Sequence, residues 1–372
     1  MHMHVILPDV PYPSKSGIEE DRFFRLQALA AQGVGLHLHA FTTGRVEIAP
    51  ELYDLSEDML LYPIRRGILP LSNRYPKEIQ LRQHPDLIRN LLGDDLPILF
   101  EGLESTYYLS HPDIESRIKA VRLPRIEWEY LEFVHQLQNQ GRMTAAQARE
   151  VQRWQQFEQT LSYATHLMPM SPVDAKSYAN WHESVTYLPP FHGHSRVSIK
   201  PGSGKYWLFY GDLGEPENHA AAIFLLKEIF GTLKRNLIIA GRKPQAELIS
   251  MVSHMDHVTL FYDPGQGQLT DLIRDAHGLV LPAFRDGGPH MSLIHGLFMG
   301  RFVVVSPQMV EGTGLGFGVS VAQDPAAMQR MVFDLGYQEF SDIDLAQRQA
   351  VIKGRLDDAQ NATRLLEIIR QG

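Results

Sequence analysis

Two adjacent glycines, Gly287 and Gly288, stand between an apolar run over residues 278–283 and a helical pattern carried by Met291, Ile294, Leu297 and Phe298. A strand, a glycine turn and a helix start in that order can bind an anion. The first N–H groups of a helix have no partners within it, and they carry the positive end of its dipole. Asp286 and Pro289 complete the turn, Gly300 ends the helix, and residues 302–305 read as a second buried strand. The unit is β-turn-α-β. The same residues also fit a tight loop that binds nothing.

Other residues carry chemistry with less context. Arg242 and Lys243 follow an apolar run at residues 237–240, where a guanidinium and an ammonium could meet phosphate at a strand end. An exposed turn would need neither role. Glu101, Glu127 and Glu129 follow expected strands, and a carboxylate there binds hydroxyl groups or acts as a base. Solvated loop acids are the plain alternative, and the preferred one for Glu129. The pairs His2/His4, His37/His39 and His192/His194 alternate by two, so on a strand each pair shares a face. Two imidazoles make half a metal site, no nearby carboxylate completes one, and no metal is expected.

Two glycine motifs fail. Gly202-Ser203-Gly204-Lys205 is followed by Tyr206 where a phosphate loop needs Ser or Thr, and residue 199 is Ile. The run from Gly312 to Gly318 has Phe317 where a dinucleotide fingerprint needs glycine.

These residues must be positioned by a chain of 372, which suggests two domains. A content of 44% hydrophobic and 21% charged residues is that of a globular protein. A formal charge of −8 argues against non-specific nucleic-acid binding, and the lack of cysteine excludes disulfides and thiolate chemistry. The N-terminus lacks a basic leader, and no apolar run approaches the roughly 20 residues of a spanning helix. A cytoplasmic protein is expected.

Strands are expected at residues 4–7, 36–41, 97–100, 117–123, 166–171 and 185–188, with helices at 18–32 and 144–164. Residues 189–204 are dense in Pro, Gly, Ser and His and read as a linker. Beyond it, strands at 207–210, 237–240, 258–262, 279–281 and 303–305 alternate with helices. That regularity implies a parallel sheet covered on both faces. A last helix is expected over 344–370. The division is a first domain at 1–190, a linker at 191–204, a second domain at 205–342, and the terminal helix within 343–372. Two α/β domains of this kind are expected to face a common cleft.

The sequence resembles the large retaining family of GT-B glycosyltransferases that use nucleotide-activated sugars. PYPSKSGIEEDRFFRLQALAAQGVGLHLHAF is similar to the family's first strand, glycine loop and helix. VRLPRIEWEYL and FEQTLSYATHLMPMSPVDAKSY resemble later first-domain segments. LFYGDLGEPENHAAA, NLIIAGRKP and GLVLPAFRDGGPHMSLIHGLFMGRFVVVS resemble the second domain's strand-loop units. They occur in the family's order, and the likeness covers nearly the whole chain. It departs where the family commonly has an arginine and a lysine that hold the donor diphosphate; Asp212 and Asn218 stand there. His295 stands in place of the second of two glutamates, and Pro124-Arg125 in place of His-Asn.

The resemblance implies a GT-B fold of two doubly wound Rossmann-like domains. It implies transfer of a hexose from a nucleotide-sugar to a glycan or lipid-linked acceptor in surface polysaccharide synthesis, with retention of configuration. No metal or other cofactor is implied, and peripheral association with the inner membrane face fits such an acceptor. Donor-binding residues would be Lys15, Gly17, Gly211, Arg242, Lys243, Gly287, Gly288, His290 and Ser292. Glu101, Glu127 and His295 would serve the reaction centre. A GT-B protein without catalysis, acting as a scaffold, is the main alternative; a sugar-nucleotide epimerase is a weaker one.

Overall fold

The computed structural model describes residues 1–64, 74–288 and 290–371. Among them the chain forms two compact units, one from the described residues of Met1–Gly193 and Asp357–Gly372, the other from His194–Leu356.

The first unit holds a six-stranded parallel sheet. Its strands are β1 (His2–Leu7), β2 (Gly35–Thr42), β3 (Asp58–Pro63), β4 (Ile98–Glu101), β5 (Lys119–Leu123) and β6 (His166–Pro169), in the order β3-β2-β1-β4-β5-β6. Val5 pairs with Leu38 on one side of β1 and with Leu99 on the other. Val5 and Leu7 enter one apolar cluster and Ile6 another, so both faces of the sheet are covered. This is why residues 5–7 of β1 are apolar without a break. The chain leaves β1 for β2 on one side and returns to β4 on the other, so the sheet's switch point lies between β1 and β4.

The helix Gly17–Ala31 begins under Ser16, whose hydroxyl accepts from the N–H of Glu19 at 3.3 Å. The Glu19 carboxylate reaches back to the N–H of Lys15. This pair satisfies donors that the helix itself cannot. Phe23, Leu26 and Leu29 are buried against the sheet, and Gly33 leaves the helix at φ +75°.

Three expectations are corrected. The segment after β5 is a helix, Glu127–Gln138, so Glu127 and Glu129 lie in a helix's first turn instead of a loop. That position suits acids electrostatically. Residues 185–188 form no strand; Val185 makes one bridge with Leu167. The terminal helix is two helices, Asp342–Ile352 and Asp358–Gln371, with Gly354 between them at φ +73°. The last helix buries Leu365, Leu366 and Ile369 in the cluster that holds Leu26 and Leu29. Each fully buried side chain of that size contributes about 1.5–3 kcal/mol.

The second unit repeats the plan with β7 (Trp207–Tyr210), β8 (Leu237–Gly241), β9 (Val258–Tyr262), β10 (Gly278–Leu281), β11 (Phe302–Val305) and β12 (Ser320–Val321). Their order is β12-β11-β10-β7-β8-β9, all parallel, with the switch point between β7 and β10. The residues expected as a linker are held on this unit from residue 194 onward. Ser198 donates to the carbonyl of Phe298 at 2.7 Å, and Gly202 bridges to Phe340. A Cβ on Gly204 would lie 2.2 Å from the backbone nitrogen of His277, so that glycine of the rejected phosphate motif serves packing, and Gly202 serves a left-handed backbone at φ +101°. Among the described residues no helix is long and apolar enough to cross a membrane.

Candidate functional site

In the second unit, three loops leave the carboxyl ends of β7, β8 and β10, around the switch point where open parallel sheets collect ligands. Gly211 and Asp212 follow β7, Arg242 and Lys243 follow β8, and residues 282–290 follow β10. The first two loops touch closely. A Cβ on Gly241 would lie 1.9 Å from the Gly211 carbonyl oxygen, so no larger residue fits there. Leu213 donates its N–H to the Arg242 carbonyl at 2.9 Å.

Arg242 is not an open phosphate ligand. Its Nε lies 2.9 Å and a terminal nitrogen 2.8 Å from Oδ2 of Asp212. The Asp212 Oδ1 accepts from the N–H of Gly214 at 3.1 Å, and Asn218 Nδ2 donates to the Asp212 carbonyl at 3.1 Å. Asp212 and Asn218 thus form a self-contained polar turn. Lys243 takes a left-handed backbone at φ +52°, unusual for a residue with a Cβ.

After β10, Gly287 and Gly288 both adopt φ above +80°, at +88° and +84°, a conformation that favours glycine. Pro289, read as part of this turn, lies outside the described residues. The helix Met291–Met299 then begins at His290 with no side-chain cap on its first N–H groups. Burial, and then the charge of Arg285, pull the His290 imidazole down to about 4, so it is neutral near pH 7. Its Nε2 is buried without a hydrogen-bond partner among the described residues. Gly287, Gly288, His290 and half-buried Ser292 are therefore brought together at a helix N-terminus.

His295 lies one turn further, buried, with Nδ1 2.8 Å from the hydroxyl of Tyr210 at the end of β7. Its ring stacks with that of Tyr210 and meets His194 edge-on. Sequence reading missed Tyr210 because β7 reads only as apolar.

In the first unit the equivalent loops follow β1 and β4. Lys15 is exposed, and Gly17 opens the helix Gly17–Ala31. Glu101, expected at a reaction centre, is buried and ion-paired. Arg25 Nε lies 2.8 Å from its Oε1, and a terminal nitrogen reaches Oε2. Asp21 and Arg122 complete a buried set of two acids and two guanidinium groups. Burial pulls the Arg25 guanidinium down, but Asp21 and Glu101 more than offset this and hold it above its ordinary range. Arg122 is pulled down to about 10 by burial.

Glu127 is also buried, with both oxygens 3.1 Å from Nε of Arg125. Unforeseen residues stand nearer the β1/β4 switch point. Arg22 holds Asp9 at 2.9 and 3.0 Å, and Glu104 folds its Oε2 over Gly102 beside Arg22. The i,i+3 pair Arg22/Arg25 was visible in sequence, but only the fold reveals that each takes a different acid.

The histidine pairs prove not to lack carboxylates. His4 Nε2 lies 3.0 Å from Asp94, and His37 Nδ1 lies 2.9 Å from Asp58. His4 Nδ1 and His39 Nε2 are 2.8 Å apart, and His39 Nδ1 meets the Tyr62 hydroxyl at 2.8 Å. The rings bond to one another, and among the described residues no set of three or more His, Asp or Glu is arranged to hold a metal. His192 and His194 stand on no strand.

No protein family matches the chain by sequence, and no curated protein does. Solved structures match it along its whole length. Sucrose-phosphate synthase from Thermosynechococcus elongatus is 14% identical, with a TM-score of 0.69 over 100% of this chain and 98% of that one. A TarM variant from S. aureus, solved with fondaparinux, alpha-GlcNAc-glycerol and UDP, is 8% identical, with a TM-score of 0.71 over 99% of each chain. HepE of Anabaena, in complex with UDP and glucose, is 10% identical, with a TM-score of 0.66 over 100% of this chain and 99% of that one. With its two six-stranded parallel sheets and flanking helices, the chain has the GT-B glycosyltransferase fold.

Proposed function

We propose that the protein is a glycosyltransferase that moves a hexose from a nucleotide-sugar donor to a glycan or lipid-linked acceptor, in surface polysaccharide synthesis. The observation that carries this reading is the turn after β10. Two left-handed glycines and an uncapped helix start lie at the switch point of a sheet, in a chain whose full length resembles UDP-bound transferases. The donor diphosphate would rest on the first N–H groups of the helix Met291–Met299, which bind anions without side-chain charge. Neutral His290 and Ser292 would orient it, and Lys243 would supply a cation. His295 would line the site through its contact with Tyr210. In the first unit, Asp9, Arg22, Glu104 and the Lys15–Gly17 loop offer paired charges suited to a hydroxyl-rich acceptor. Retention of configuration, the absence of a metal requirement and peripheral membrane association belong to this reading as proposals.

The Asp212–Arg242 pair favours a second reading. It neutralises the guanidinium that follows β8, as in a scaffold subunit that no longer turns over. A thermal-shift screen against UDP, GDP, ADP, CMP and their sugar conjugates separates the two. A ligand at a hundredfold excess over its dissociation constant stabilises the folded state by about 2.7 kcal/mol. One clear hit, abolished by Gly288→Trp, supports the transferase. No shift with any nucleotide at millimolar concentration overturns it in favour of the scaffold.

A further inference from the structure

Arg242 and Asp212 meet at the end of the sheet where the second unit would take its anionic ligand, and the way they meet is incomplete. Both guanidinium contacts fall on one carboxylate oxygen, Oδ2, at 2.9 and 2.8 Å. The other oxygen is already committed to the N–H of Gly214 at 3.1 Å. This is not the two-on-two fork that makes an arginine–carboxylate pair strong. The pair is also asymmetric in exposure: the Arg242 side chain is 27% exposed and that of Asp212 only 10%. A ligand therefore reaches the guanidinium more readily than the acid that holds it.

We propose that Asp212 is a built-in competitor of the ligand's phosphate. Its carboxylate occupies Arg242 in the empty site, and a phosphate group must displace it to bind. The proposal rests on the nucleotide-sugar reading for the identity of the ligand, but not for the exchange itself. A diphosphate brings more negative charge than one carboxylate and can engage the guanidinium through two oxygens at once. When displaced, Asp212 keeps the Gly214 N–H as its partner. The loops do not depend on the ion pair for their positions. The Leu213 N–H to the Arg242 carbonyl (2.9 Å) and Asn218 Nδ2 to the Asp212 carbonyl (3.1 Å) tie them through backbone groups. The exchange thus trades one anion for another on a fixed frame, and Asp212 sets how anionic a ligand must be to enter.

The test uses Asp212→Asn, which can still accept from Gly214 but carries no charge. Binding of UDP and of inorganic pyrophosphate is measured by calorimetry on wild type, Asp212→Asn, Arg242→Ala and the double variant, with melting temperatures as the control for folding. The expected result is at least tenfold tighter binding of both probes by Asp212→Asn, with the gain lost in the double variant. Unchanged or weaker binding by a folded Asp212→Asn overturns the proposal, since an acid that merely orients Arg242 would give that result. Tighter pyrophosphate binding with no binding of UDP or any other nucleotide upholds the exchange and overturns the nucleotide-sugar reading. No binding of either probe to any variant overturns the exchange, and an empty screen with the other nucleotides overturns the nucleotide-sugar reading as well.

Discussion

Arg25 and Glu101 lie fully buried side by side, the guanidinium of one forked across both carboxylate oxygens of the other. The pair joins the helix Gly17–Ala31 to the end of β4, beside the switch point of the first sheet. An acid expected from the sequence at a reaction centre is thereby committed to an ion pair between helix and strand.

Glu101→Ala should therefore act on stability. Removing one partner strands a buried charge, at a cost of about 3–5 kcal/mol. Urea unfolding should show the loss, and nucleotide binding by the remaining folded protein should be unchanged. A variant with an unaltered midpoint but no turnover would return Glu101 to the chemistry.

The contact between His4 and His39 makes the first unit sensitive to acid. Burial, then the neighbouring His4, pull His39 down to about 3, and burial lowers His4 as well. In the unfolded chain a histidine takes its proton near pH 6.5. Between about pH 6.5 and 3 the unfolded state binds more protons, so stability falls as the pH is lowered through that window. At pH 5 the His39 contribution alone is about 2 kcal/mol. His39→Gln should flatten the dependence of the urea midpoint on pH between 7 and 5, whatever it does to absolute stability. An equally steep slope in the variant would show that other groups carry it.

Glu158 should act in the opposite direction. Burial pushes it up to about 7, although the Tyr178 hydroxyl at 2.8 Å and Trp128 Nε1 at 2.9 Å both donate to it. The unfolded carboxyl loses its proton near pH 4.3. Stability therefore declines as the pH rises from there through 7, by about 4 kcal/mol in full. In Glu158→Gln this decline should be absent from a series of midpoints between pH 5 and 8. Persistence of the same decline would mean that Glu158 is ionised in the folded protein.

The contact of Gly241 with Gly211 is a test of packing. A Cβ 1.9 Å from a backbone oxygen forces the ends of β7 and β8 apart, so Gly241→Ala should cost at least about 1–3 kcal/mol. Gly267 lies in the helix Gln266–Asp275 with nothing within 4 Å of a new Cβ. Gly267→Ala should stabilise by up to about 1 kcal/mol. Melting temperatures that moved the same way in both variants would contradict this placement.

Much of the architecture was legible because it is written locally. Apolar runs of four to six residues, glycine turns and helical spacing gave most of the strands of both sheets and the turn at Gly287-Gly288, since burial on two faces and a left-handed backbone each select residue types directly. The helix Glu127–Gln138 escaped because its apolar positions are interrupted by charge and only Glu127 and Val134 are buried. The partners of the charged residues were not legible at all. Arg25 and Glu101 are 76 residues apart, Arg242 and Asp212 30, and His4 and Asp94 90. A parallel sheet joins its strands by crossovers, so residues far apart in the chain meet at one sheet edge. The sequence by itself determined most of the strands and the glycine turn after β10. Only the tertiary structure decided which charges are spent on one another, because an ion pair depends on distances of a few ångströms that strand order and register set.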